Sequence, residues 1–147
     1  MKSLAIYRAV FLFGMALSTA AASFSQDNGQ PKPAPSEYKA SVEGLVRDVS
    51  CPIQNHESTA TDFNLECAIA CAKSGSPLII LTKKGDIYFP MSDEMPDVSQ
   101  RDKLMPFIGK YVRATGTVFE RNGTRAIVIK DIKELKNVKL NPKAGGI

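Results

Sequence analysis

A long β-hairpin signal near the C-terminal end restricts the possible folds of this chain more than any other motif. Two strand-like segments, KYVRATGTVFER (110–121) and TRAIVIKDIKEL (124–135), flank the dipeptide Asn122-Gly123. Asn-Gly is typical of a type I′ turn, because both central residues of that turn need positive φ. Gly116 lies inside the first segment, where a small barrel needs a bend or bulge. The pattern predicts two long antiparallel strands in a mainly β domain.

Shorter signals complete the predicted order of elements. They are a strand at 41–50, a helix at 62–75, two strands at 77–82 and 87–90, and a short helix at 97–109. Asp62 or Asn64 is a suitable cap for the first helix, and Gly75 suits its C′ position. Five short strands with a helix between the third and fourth predict a small OB-fold-like barrel, here with a helix inserted between strands 1 and 2. An open β-meander packed by one helix is the alternative.

The N-terminal residues indicate export. Residues 1–22 combine Lys2 and Arg8 with an apolar run at 9–17 and the tripeptide Ala20-Ala21-Ala22. This order is typical of a cleaved secretory signal peptide, and the apolar run is too short to span a bilayer. We therefore expect a periplasmic or secreted protein with no membrane span in the mature chain. An uncleaved N-terminal anchor is the alternative.

Three further segments follow the predicted signal peptide. Residues 23–39 form a Pro-rich linker, residues 40–135 the OB-like domain, and residues 136–147 a basic flexible tail. Loss of the signal peptide lowers the 19 basic residues to 17, against 15 acidic ones, so the formal charge falls from +4 to +2. The chain has no Trp, and its aromatic residues are not interleaved with the basic tail. We therefore expect no nucleic-acid partner.

All three cysteines and the only histidine lie within CPIQNHESTATDFNLECAIAC, residues 51–71. Cys67 and Cys71 are four residues apart on a predicted helix, so both thiols project from one face. Cys51 and His56 belong to the preceding loop, which would close over that face. Three cysteines and one histidine form a recognised tetrahedral zinc site, and three thiolates with an imidazole equally suit Cu(I). The sequence predicts a non-enzymatic binding protein whose metal ligands are Cys51, His56, Cys67 and Cys71, with structural zinc first and Cu(I) handling second.

A disulfide is the main alternative at this cluster, because exported proteins meet oxidising conditions. Cys51 paired with Cys67 or Cys71 would link the loop to the helix, whereas Cys67 with Cys71 is a poor pair on a regular helix. Such a disulfide-linked OB module would bind a small ligand or an envelope protein. Thiol-redox chemistry at the remaining cysteine is the third hypothesis.

The predicted fourth strand offers a possible ligand face. Residue alternation places Tyr111, Arg113 and Phe119 on one side, opposite Val112 and Val118. Aromatic and polar side chains on one face of an OB barrel are what a bound sugar or small ligand would need.

The chain also resembles a group of small secreted bacterial proteins with an OB-like fold. The resemblance lies in a first strand ending in Asp-x-x-Cys, then a His, then Cys-x-x-x-Cys, a Gly and an apolar strand. In this sequence these are Asp48, Cys51, His56, Cys67, Cys71 and Gly75, and the last two strands are GKYVRATGTV (109–118) and AIVIKDI (126–132). The resemblance covers residues 42–132. It implies export and an OB-like fold, and it implies no activity.

Overall fold

A computed structural model describes residues 34–143 of the chain. The predicted signal peptide and most of the predicted linker lie outside the described residues. The first strand begins at Ser36, so the folded domain starts within the segment assigned to the linker. Among residues 34–143, no helix is long and apolar enough to cross a membrane.

The described residues form seven strands, three short α-helices and one 3₁₀ turn. In chain order they are β1 (Ser36–Asp48), α1 (Ser50–Gln54), β2 (Asp62–Asn64), α2 (Leu65–Lys73), β3 (Leu78–Leu81), β4 (Ile87–Met91), α3 (Arg101–Leu104), the 3₁₀ turn (Met105–Phe107), β5 (Tyr111–Arg121), β6 (Thr124–Glu134) and β7 (Asn141–Lys143).

Five of these strands close into a barrel in the order β1-β3-β4-β6-β5. β1 is long enough to pair with β3 at one end and with β5 along most of its length, and this double pairing closes the barrel. β4 and β6 run parallel, and the other barrel pairs are antiparallel. If only the barrel strands are numbered, the order is 1-2-3-5-4, with α3 between the third and fourth. The predicted OB-like barrel is confirmed, as are the helix inserted between its first two strands and the short helix between the third and fourth.

The long hairpin has the geometry that its sequence predicts. Asn122 has φ 51° and Gly123 has φ 82°, which are the two positive values of a type I′ turn. The register between β5 and β6 shifts at Thr115/Gly116. A Cβ at Gly116 would overlap the carbonyl of Val128, so the chain needs glycine at this bend.

The barrel interior is one of two apolar clusters in the fold. Its buried members come from the inward faces of the strands and from two helices: Val42, Val46, Ala72, Leu78, Ile80, Leu104, Val112, Ala114, Val118, Ile127 and Ile129. Burial of these side chains is the main source of stability for a domain of this size.

The second cluster lies on the outer surface of the barrel, against β1, β3 and β5. Leu45, Ile79, Leu81 and Tyr111 point outward from the strands, and Ala60 and Phe63 of the insertion cover them. Because apolar side chains cover both sides of β3, all four of its residues are buried. This second layer explains why the sequence of β3 is continuously apolar and does not alternate.

Residues 135–143 belong to the fold, whereas residues 136–147 were predicted as a flexible tail, and residues 144–147 lie outside the described residues. Leu135, Val138 and Leu140 pack against the outer cluster. β7 then pairs in parallel with β2 of the insertion. Scattered lysines hide this pattern in the sequence, because the three apolar residues are isolated from one another.

Candidate metal centre

The insertion between β1 and β3 carries all three cysteines. Cys51 lies on α1, and Cys67 and Cys71 lie on α2. Asn64 begins α2 as its N-cap, with its Oδ1 accepting the N–H of Cys67 at 2.8 Å. This cap was one of the two predicted from the sequence.

The C-terminal end of α2 is held equally firmly. Gly75, with φ 98°, ends the helix as predicted. The N–H of Ser76 donates to the Cys71 carbonyl, and that of Gly75 donates to the Ala72 carbonyl, each at 3.0 Å. These are the two bonds of a Schellman motif. Arg101 adds donors to the carbonyls of Ala72 and Ser76. Helix α2 is therefore fixed at both ends of its cysteine pair.

The three thiols meet at one point. The Sγ atoms of Cys51 and Cys67 are 3.3 Å apart, and those of Cys67 and Cys71 are 3.9 Å apart. All three sulfurs lie within 4.8 Å of one another. Thiolates bound to one tetrahedral zinc at about 2.3 Å would be about 3.8 Å apart. The observed triangle is close to that size, so one ion can contact all three sulfurs after small side-chain adjustments.

Crowding of the sulfurs affects their acidity. Hydrogen bonding with the Cys51 thiol, followed by desolvation, raises the pKa of Cys67 from 9.0 to about 12. Negative charge on Cys67 is unfavourable beside two other sulfurs without a cation to compensate it. Cys67 therefore keeps its proton in the metal-free protein, and a metal ion would replace that proton.

Arg47 and Asp48 lie beside the cluster at the end of β1, and both side chains are fully buried. Asp48 Oδ2 accepts the N–H of Cys51 at 3.1 Å, and Asp48 Oδ1 faces Arg47 Nη2 at 3.4 Å. Arg47 Nη1 donates to Ser58 Oγ at 2.6 Å, while Arg47 Nε is buried with no hydrogen-bond partner. Sequence reasoning missed Arg47, because an Arg-Asp pair at a strand end is ordinarily solvated, whereas here Ser58 and Phe63 of the insertion contact Arg47.

A cleft of about 260 Å³ opens at the cluster. Cys51 and Cys67 border it, and Cys71 does not. Lys143 of β7 and Glu57 lie at its rim, and Arg47 borders it from beneath the surface with 0% exposure. An ion or small molecule therefore has access to the sulfur triangle from the Cys51–Cys67 side.

His56 does not join the three sulfurs, which corrects the predicted set of four ligands. In the part of the chain that the structure describes, its imidazole does not belong to the group of side chains that could hold an ion. It is exposed and borders a separate depression with Lys83 and Lys84 of the β3–β4 turn. The reason is local, because Ser58 N–H donates to the Asn55 carbonyl at 3.0 Å and so places His56 inside a tight turn. That turn directs the histidine away from the cysteines.

The predicted ligand face is not open either. Tyr111 points outward as alternation requires, but the second apolar cluster buries it to 4% exposure. Arg113 is engaged by Glu43, with its Nε 2.7 Å from Oε1. Phe119 is half-buried on the same strand. These three side chains therefore do not form a continuous exposed aromatic surface.

Comparisons with protein-family models, with curated proteins and with solved structures find no match for this chain. The resemblance to secreted OB-like proteins therefore stays a prediction.

Proposed function

We propose that this protein is exported and binds one soft metal ion through the thiolates of Cys51, Cys67 and Cys71. The observation that carries the proposal is the placement of the three sulfurs within 4.8 Å of one another. A single ion accounts for all three cysteines of a chain whose N-terminal sequence is typical of export. Unprotected thiols are uncommon in oxidising compartments, and metal binding would protect them.

The donor set favours Cu(I) over zinc. Thiolate ligands suit both ions, and Cu(I) is satisfied by three sulfurs alone. Zinc takes four ligands in structural sites. With His56 outside the group, zinc would take its fourth ligand from water in the cleft beside Cys51 and Cys67. Because His56 is not one of the ligands, the three cysteines favour Cu(I) handling over structural zinc.

The deciding experiment is a metal titration of reduced protein under anaerobic conditions, with a competing chelator to buffer free Cu(I) or zinc. We expect one equivalent of metal per chain and loss of tight binding when any one cysteine becomes serine. His56→Ala is the matched control and should bind as the wild type does. A folded, fully reduced protein that binds neither ion would end the proposal.

A disulfide between Cys51 and Cys67 is the second candidate, favoured by their 3.3 Å separation. This disulfide would close the loop from Cys51 to Cys67, and a loop of that length is expected to stabilise the folded state by ~3 kcal/mol. The protein would then be a disulfide-linked OB module for a small ligand or an envelope partner. Alkylation of exported protein without reductant separates the two accounts. The disulfide predicts that Cys71 alone is labelled and that chelators have no effect, whereas a metal site predicts that all three cysteines become labelled once metal is removed.

A further inference from the structure

Arg47 and Asp48 are charged residues that are fully buried in the fold, which is unusual for such side chains. Arg47 has 0% exposure. Among the described residues, its side chain forms hydrogen bonds with Ser58 and Asp48. Its Nε is buried without a partner, and its guanidinium carbon lies 5.9 Å from the centre of the Phe63 ring. Burying a guanidinium with so few partners is costly unless negative charge lies nearby. Asp48, at 3.4 Å, is a distant partner for a charge-assisted hydrogen bond.

The cysteine cluster becomes a nearby source of negative charge when a bound metal replaces the protons of its thiols. Arg47, Cys51 and Cys67 border the same cleft. Asp48 connects the pair directly to the cluster, because its second oxygen accepts the N–H of Cys51. The same carboxylate thus faces Arg47 with one oxygen and orients the backbone of a metal ligand with the other.

The charge at the cluster depends on the ion. Three thiolates carry −3, so a bound Cu(I) leaves −2 and a bound zinc leaves −1. A half-buried site screens these charges poorly. A fixed positive charge beside the cluster therefore favours the Cu(I) complex more than the zinc complex, and a fixed negative charge has the opposite effect.

We propose that Arg47 and Asp48 are the charged outer shell of the metal site, and that their opposite charges set its preference between Cu(I) and zinc. Arg47 stabilises the more negative Cu(I)–thiolate complex. Asp48 orients Cys51 and limits that preference. Both act through the cysteines without touching the metal, so they are positioning residues. This inference rests on the proposed metal binding at Cys51, Cys67 and Cys71.

The test measures Cu(I) and zinc affinities of four proteins by chelator competition: the wild type, Arg47→Gln, Asp48→Asn and the double variant. Outer-shell substitutions typically change metal affinity by about 10–100-fold. We expect Arg47→Gln to lower Cu(I) affinity by about that factor and zinc affinity by less. Asp48→Asn retains an oxygen acceptor for Cys51 and should shift the ratio of Cu(I) to zinc affinity in the opposite direction. The double variant should return towards the wild-type ratio.

If the two single variants shift the ratio of Cu(I) to zinc affinity in opposite directions, the cause is charge. Simple loosening of the site would instead weaken the binding of both metals alike. Equal losses for both ions, or shifts of one sign in both single variants, would overturn the inference while leaving metal binding intact. If Arg47→Gln does not fold, Asp48→Asn and the charge-retaining Arg47→Lys carry the test. Arg47→Lys should then keep the wild-type ratio, and a fall in that ratio would count against the inference. A wild type that binds neither ion would refute the proposed function itself.

Discussion

The side-chain oxygen of Asn64 accepts the N–H of Cys67 at 2.8 Å, so the residue that begins helix α2 also holds the central cysteine of the cluster. Cys67 is the sulfur that contacts both others, at 3.3 and 3.9 Å. Formation of the helix and assembly of the site are therefore coupled through one hydrogen bond.

Substitution of Asn64 by Ala should lower stability and metal affinity together. Loss of an N-cap side chain typically costs about 1 kcal/mol, and the first turn that carries Cys67 would fray. Asn64→Asp is the matched control, because it retains the oxygen acceptor. Urea unfolding and chelator competition measure the two effects, and a stable Asn64→Ala protein with wild-type affinity would contradict the coupling.

The pKa of Cys67 predicts a pH dependence for the metal-free, reduced protein. Its folded pKa of about 12 is raised above the ordinary 9.0, so the folded state favours the protonated thiol. The stability that Cys67 contributes is complete below pH 9 and is lost as the pH rises towards 12. Urea midpoints measured between pH 8 and strongly alkaline pH should therefore fall.

Two tyrosines titrate in the same direction, because burial also raises the pKa of Tyr88 and of Tyr111. The Cys67→Ser protein isolates the cysteine contribution, since it keeps both tyrosines. It should lose less stability over this range than the wild type does. Identical pH profiles for the two proteins would show that Cys67 contributes nothing.

Removal of residues 136–147 should destabilise the domain. Val138 and Leu140 are half-buried against the outer cluster, and half-burial of two such side chains contributes roughly 2 kcal/mol. The truncated protein should also bind metal less tightly, because β7 supports β2 immediately before α2. Lys139→Ala, at an exposed position, should leave the thermal midpoint unchanged. A truncation as stable as the full chain would restore the view of this segment as a flexible tail.

Gly123→Val should destabilise the long hairpin by about 1–2 kcal/mol, since a β-branched residue is strained at positive φ. A Cβ at Gly123 has open space around it, so the cost reflects backbone strain and no collision. Thr124→Val, at an exposed position in the adjacent strand, is the control and should be nearly neutral. Thermal unfolding measures both, and a tolerated Gly123→Val would argue against the type I′ turn.

The parts of the fold that were predictable from sequence depend on local chemistry. Asn122-Gly123 demands a type I′ turn and Gly75 ends α2, because each requirement acts within a few residues. Gly116 was predicted as a bend from its place inside a strand signal. Cys67 and Cys71 likewise lie on one helix face by spacing alone. The OB order followed from these elements and their connections.

One error arose from the geometry of a local turn, and the other two arose where distant residues decide the outcome. His56 was grouped with the cysteines because it is near in sequence, but the turn closed by Asn55 and Ser58 directs it elsewhere. Tyr111 was expected to be exposed, and this was wrong. Residue alternation predicts on which side of the strand a side chain lies, but it does not predict which other residues cover that side. Arg47 was overlooked for the same reason, since its burial depends on residues of the insertion such as Ser58 and Phe63.

The parallel pairing of Asp62–Asn64 with Asn141–Lys143 has a consequence for the order of folding. The two segments are separated by most of the domain, and contacts between such distant segments form late because loop closure is entropically costly. While the chain emerges from a ribosome, the barrel strands between these segments have to appear before β7 can reach the insertion. The segment that carries the cysteines thus gains the support of β7 only after all the barrel strands have emerged, and until then its thiols lie in an incompletely closed site.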